Sequence, residues 1–153
     1  MKTLEFALLT DAELLARCQE YGDKARFWRQ KFAGLLPEVY RRKLYFQKGF
    51  GSIFEFAAKL AGMGEEQVRL VLNLERRFED KPVLKALLVN GEVSVNKLAR
   101  VVSIATRENQ EALASQLKIL PQSAIETLVR DEKYCKEKID AENLGLRAHS
   151  NLK

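Results

Sequence analysis

FEFAAKLAGMGEEQVRLVLN, residues 54–73, sets small and apolar side chains at the positions that a helix-turn-helix requires. Two helices that cross steeply over a turn of three or four residues leave room only for a small side chain at their closest approach, and Ala58 supplies it. Gly62 then provides the left-handed backbone that such a turn needs, at no steric cost. Val68 faces back into the angle between the helices, and Ala57, Ala61, Met63 and Val71 occupy the other inward positions. An ordinary helical hairpin in a bundle core fits the same sizes, so the chain around the stretch has to decide between the two.

That surrounding chain has 153 residues, 46% hydrophobic and 31% charged, the balance of a soluble globular protein of one domain. No run approaches the roughly 18 apolar residues of a membrane span. The opening MKTLEFALLT is interrupted by Glu5 and leads into Asp11 and Glu13, unlike a signal peptide, so the expected compartment is the cytoplasm. Cys18 and Cys135 are too few and too far apart for a disulfide framework.

Charge is unevenly placed along the chain. Between Lys24 and Lys48 there are eight basic residues against the single acid Glu38, a net of +7 that leaves −2 on the rest of a +5 chain. Such a concentration is the electrostatic footprint of a phosphate-binding surface.

Taken in order, Thr10 with Glu13 forms a capping box that starts a helix at Asp11. Leu15, Cys18, Tyr21, Ala25, Trp28, Phe32 and Leu35 then recur at helical spacing, a stripe read as core or as a dimer seam, with Trp28 as a buried anchor. Pro37 is expected to end or sharply bend this helix, giving an arm over residues 1–36. A short helix from Glu38 to Lys48 turns Tyr40, Leu44 and Tyr45 inward and Arg41, Arg42 and Lys43 outward, before Gly49-Phe50-Gly51 breaks it. Ser52 with Glu55 caps the next helix.

The helix after Gly62–Gly64 is expected from Glu65 to about Phe78. At 100° per residue, Arg69, Asn73, Arg76 and Arg77 share one sector and Val71, Leu74 and Phe78 the opposite one. Arginine and asparagine are the residue types that read guanine and adenine edges in the major groove. Glu65 and Glu66 favour the helix start by roughly 0.3 to 1 kcal/mol each but repel phosphate there, so the later face is the one to approach DNA.

Pro82 opens a helix carrying Val83, Leu84, Leu87 and Leu88, which Gly91 closes. Ser94 caps another with Val95, Leu98, Val101, Val102 and Ala105 at helical spacing, and Thr106 begins one that turns Ala112, Leu113 and Leu117 inward until Pro121. Ser123 with Glu126 forms a third capping box, ahead of Ile125, Leu128 and Val129 on the last core helix. Residues 37–134 thus form a helical domain, and 135–153 a charged tail or linker. The fold class is all-α: a compact multi-helix domain containing a helix-turn-helix, with a long N-terminal amphipathic helix.

The order of Arg41-Arg42-Lys43-Leu44-Tyr45, Gly49-Phe50-Gly51-Ser52-Ile53-Phe54-Glu55-Phe56, Leu60-Ala61-Gly62-Met63 and Gly91-Glu92-Val93-Ser94-Val95-Asn96-Lys97-Leu98 resembles the helical domain found in front of HNH nuclease domains in many bacterial proteins. The resemblance covers roughly residues 10 to 131 and rests on turns and caps. It implies a helix-turn-helix DNA-binding module of a bacterial cytosolic protein. The chain departs from that family at Gln67-Val68-Arg69-Leu70, which is less basic than the usual start of the second helix.

An HNH site needs histidines as metal ligand and general base, often with paired cysteines for a structural zinc. This chain holds one histidine, His149, in the tail, so no catalytic, metal or cofactor residue is assigned, and a longer parent protein would have to carry any nuclease. The expected partner is double-stranded DNA, with Arg41, Arg42, Lys43 and Lys48 on phosphates and Arg69, Asn73, Arg76 and Arg77 toward the groove. No membrane and no small-molecule substrate is expected. The competing reading is a protein-interaction module, or a homodimer paired through the N-terminal helix.

Overall fold

The computed structural model describes the backbone of residues 6–150 and the side chains of residues 6–145; the reading at Glu5 and the side chain of His149 lie outside them. Among the described residues the chain is all-helical without strands. The eight helices bounded within the described residues are α1 (Asp11–Arg42), α2 (Leu44–Gln47), α3 (Ile53–Ala61), α4 (Glu65–Arg77), α5 (Pro82–Asn90), α6 (Val95–Val101), α7 (Gln110–Ile119) and α8 (Gln122–Ser150).

Helix α1 starts where its capping box predicts: Thr10 accepts from the Glu13 amide and the Glu13 carboxylate accepts from the Thr10 amide, both at 3.2 Å. It does not end at Pro37 but runs through it to Arg42. A proline in a helix interior forfeits one hydrogen bond and crowds the carbonyl four residues back, about 3 kcal/mol in an isolated helix. Burial of Ala33, Gly34 and Leu36, from the residue that bears that carbonyl up to the proline, against α3, α4 and α5, holds the helix together across the fault. The helix stops at Lys43, whose left-handed backbone (φ 55°) returns its N–H to the carbonyls of Tyr40 and Val39. The short helix expected over 38–48 is therefore divided, with Tyr40 exposed on α1 and only Leu44 and Tyr45 half-buried.

The apolar stripe of α1 divides as well. From Asp11 to Arg29 every residue is exposed except the half-buried Gly22, so Leu15, Cys18, Tyr21 and Ala25 are not core. Trp28 is 66% exposed, not the buried anchor that its spacing implies. Only past residue 30 does α1 enter the interior, where Phe32 stacks on Phe56 at 6.2 Å between ring centroids. Periodicity identifies an apolar face but not whether the same chain covers it.

The close crossing of α1 over the end of α5 is made by glycines. A Cβ on Gly34 would lie 2.2 Å from the Val89 carbonyl oxygen, and one on Gly91 2.9 Å from the Gln30 backbone. Gly91 also closes α5 with a φ of 65°. Lys31 donates its ammonium to the carbonyl of Asn90, satisfying an acceptor at the negative end of α5.

The remaining helices wrap one apolar interior that extends from Ala33 to Val129, with no polar side chain buried among the described residues. Ser52 and Ser94 cap α3 and α6 as their sequences predict. Helix α7 begins later than expected, because Thr106 and Asn109 bond each other's amides in a turn that delays it to Gln110; Ala114 is buried there and Ala112 is not. Ser123 caps nothing: α8 starts one residue before it, directly after Pro121, whose carbonyl accepts from Ala124 and Ile125. Nor is the tail a break in structure, since α8 continues to Ser150 with its side chains exposed from Arg130 to Gly145.

Candidate nucleic-acid interface

Helices α3 and α4 are joined by the three residues Gly62–Gly64, with Gly62 left-handed at φ 64° and its N–H on the carbonyls of Ala57 and Ala58. Ala57, Met63, Val68 and Val71 are buried around this turn. The small residue buried there is Ala57, one of the inward positions expected, whereas Ala58, expected at the closest approach, is exposed.

Helix α4 matches its predicted bounds to within a residue and its faces separate as expected. Val68, Val71 and Leu74 are inside, followed by Phe78 at the C-cap, while Arg69, Arg76 and Arg77 are exposed and Asn73 half-buried. Arg69, Leu72, Asn73, Glu75 and Arg76 meet Pro37 and Tyr40 of α1 around an open hollow of about 420 Å³, with Glu75 paired to Lys85 at 3.2 Å. Tyr40 immediately precedes Arg41 and Arg42, so the last turn of α1 stands beside the outward edge of α4. Lys43 and Lys48 bracket α2 and do not line the hollow, and Arg77 lies outside it.

Several of these cations already have partners. Arg69 pairs with Glu65 and lies over the Phe54 ring, 5.3 Å from its centroid. Arg76 donates to the Asn73 carbonyl oxygen at 2.8 Å, which orients the amide while occupying its acceptor. Glu38 accepts from Arg41 and from Arg42, the latter at 2.8 Å. Hydrogen bonds from these two guanidiniums, Arg41 first, hold the Glu38 carboxyl down to about 2 from 4.5. The same pairing raises the Arg41 value further, so both remain ionised at neutral pH.

Reading residues by type alone passed over Tyr40, Phe54 and Glu38. The Glu38 clamp was legible in the spacing, because carboxylate and guanidinium three or four residues apart share a helix face. The two aromatics were not, since only the packing of α1 and α3 against α4 brings them there. A second groove, about 280 Å³, lies between α1 and the turn, with Arg26 and Arg29 on one wall and Gln67 and Asn96, linked at 3.3 Å, on another.

Among the described residues no group of histidine, cysteine and carboxylate side chains could hold a metal ion, and no helix is long and apolar enough to cross a membrane. Compared with protein-family models, with curated proteins and with solved structures, the chain matches none.

Proposed function

We propose that this chain is a duplex-DNA-binding module, in which α3, the Gly62–Gly64 turn and α4 act as a helix-turn-helix and α4 approaches the major groove by its later turns. The observation that carries the reading is the outward edge of α4. There Arg69, Asn73 and Arg76 stand together around an open hollow, while Val68, Val71 and Leu74 lock the opposite edge into the core. Rigid presentation of base-reading side chains from a packed helix is what direct readout requires. Arg41, Arg42, Lys43 and Lys48 supply phosphate contacts that set register, and the surface ion pairs of Arg41, Arg42 and Arg69, each worth little in water, exchange for phosphate on binding.

The acids Glu65 and Glu66 at the start of α4 keep that end away from the backbone of DNA, so the contact falls on the later face, Arg69, Asn73, Arg76 and Arg77. The setting implied by the resemblance is the targeting part of an HNH-nuclease-associated protein. Mobility shift of a labelled duplex by the wild type, beside an Arg69→Glu, Arg76→Glu variant checked for unchanged helicity, tests the assignment. Retarded duplex with the wild type and none with the variant is the expected pattern; equal retardation by both would remove α4 from the interface.

A further inference from the structure

We propose that the exposed N-terminal half of α1 is a docking face for an amphipathic helix whose apolar seam is bordered by acidic side chains. Leu14, Tyr21 and Trp28 recur every seven residues, and the small Cys18 and Ala25 fall between them. This is a two-position seam of the coiled-coil type, in which side chains of a second helix enter the spaces left at the small positions. All five are exposed, Tyr21 at 52% and Trp28 at 66%, and Leu15 beside the seam at 68%. Phe27 and Trp28 meet in a T-shaped pair, 5.1 Å between ring centroids.

The charges bordering the seam select the occupant. Arg17, Lys24 and Lys31 also recur every seven residues along one border, Lys31 with its ammonium on the Asn90 carbonyl, and Arg29 lies on the other. Pairing with a second copy of α1 opposes like charges in either direction: Lys24 meets Arg29 of the other copy when parallel, and the row of Arg17, Lys24 and Lys31 meets itself when antiparallel. Glu20 reaches Lys24 at 2.9 Å from outside the seam and stays with its own helix. An acidic-bordered partner turns every one of these oppositions into attraction. An anionic lipid surface fits less well, because Asp11, Glu13, Glu20 and Asp23 lie on the same helix segment.

Trp28 is the only tryptophan of the chain and reports directly on the face. The full chain is titrated with a synthetic amphipathic helical peptide carrying leucine on its seam and glutamate on both borders, and with the same peptide carrying lysine there. A saturable blue shift of Trp28 emission is expected with the glutamate peptide, at an affinity about tenfold or more above that of the lysine peptide. A Leu15→Glu variant, altered at an exposed position and verified as helical, should lose the shift. Equal shifts with both peptides, no shift with either, or a shift retained in the variant would overturn the proposal. So would a blue shift produced by concentrating the protein alone, which would make a second copy the occupant, or one seen with anionic vesicles and not with the peptide.

Discussion

Glu38 sets how much of the basic turn at the end of α1 is free to meet phosphate. Its carboxylate spans Arg41 and Arg42, and with its value held down to about 2 it stays ionised throughout the range from neutral to about pH 4.5. Any stability it lends through this linkage is complete above 4.5, its ordinary value, and is lost only as pH falls toward 2. Acidification from neutral to 4.5 therefore does not release the two arginines. Glu38→Gln does, and should tighten duplex binding, because the two guanidiniums no longer leave a carboxylate in order to meet phosphate. A titration showing unchanged affinity in Glu38→Gln would mean that Arg41 and Arg42 do not touch DNA. Gly34 is decisive in another way, since a methyl group there would collide with the backbone of Val89. Gly34→Ala should lower unfolding free energy by about 2 kcal/mol despite the better helix propensity of alanine, as overpacking commonly does; urea unfolding at unchanged stability would show that α1 and α5 can separate at little cost.

At the scale of elements, the sequence signals that held were local and chemical: the caps at Thr10, Ser52 and Ser94, the left-handed Gly62, the helix stop at Gly91, and the two faces of α4. Those that failed depend on what lies across the core. Pro37 was expected to end or sharply bend α1; the helix does not end there, because burial of Ala33, Gly34 and Leu36 in the turn before it outweighs one missing hydrogen bond. Pro37→Ala should accordingly raise stability, by about 1 to 3 kcal/mol if the restored bond and relieved crowding are fully realised. Thermal unfolding reads this directly, and a lower midpoint would show that the half-buried ring packs well enough beside Tyr40 to offset its backbone fault. Ser123 was misplaced for a related reason: Pro121 offers its carbonyl to the first turn of α8, so the helix begins before the serine can cap it. At the candidate site, the rotational sector of Arg69, Asn73 and Arg76 was legible from 100° periodicity. The hollow that gathers them against Tyr40 was not, because it exists only where α1 crosses α4.

Among the described residues the molecule is a core from Ala33 to Val129 with two exposed helical segments outside it, the start of α1 and residues 130–145 of α8. Its two candidate surfaces are physically different. Around α4 and the last turn of α1, the guanidiniums of Arg69 and Arg76 and the Asn73 amide share an open hollow with the Glu75 carboxylate, Leu72, Pro37 and Tyr40, and the cations and the amide are the groups suited to phosphate and base edges. Along residues 14–28 of α1, apolar side chains form a seam between cationic borders, a surface suited to another helix. Salt separates them, because counterion release dominates the first and apolar burial the second.

Fluorescence anisotropy of a labelled random duplex, titrated with the full chain at low and moderate salt, tests the central claim most directly. Wild type should bind with an affinity that falls steeply with salt, and an Arg41→Ala, Arg42→Ala, Arg69→Ala variant of unchanged helicity should bind more weakly with a slope shallower by about 0.9 for each phosphate no longer neutralised. No binding by the wild type at low salt, or binding indifferent to both salt and the three substitutions, would contradict the DNA-binding account.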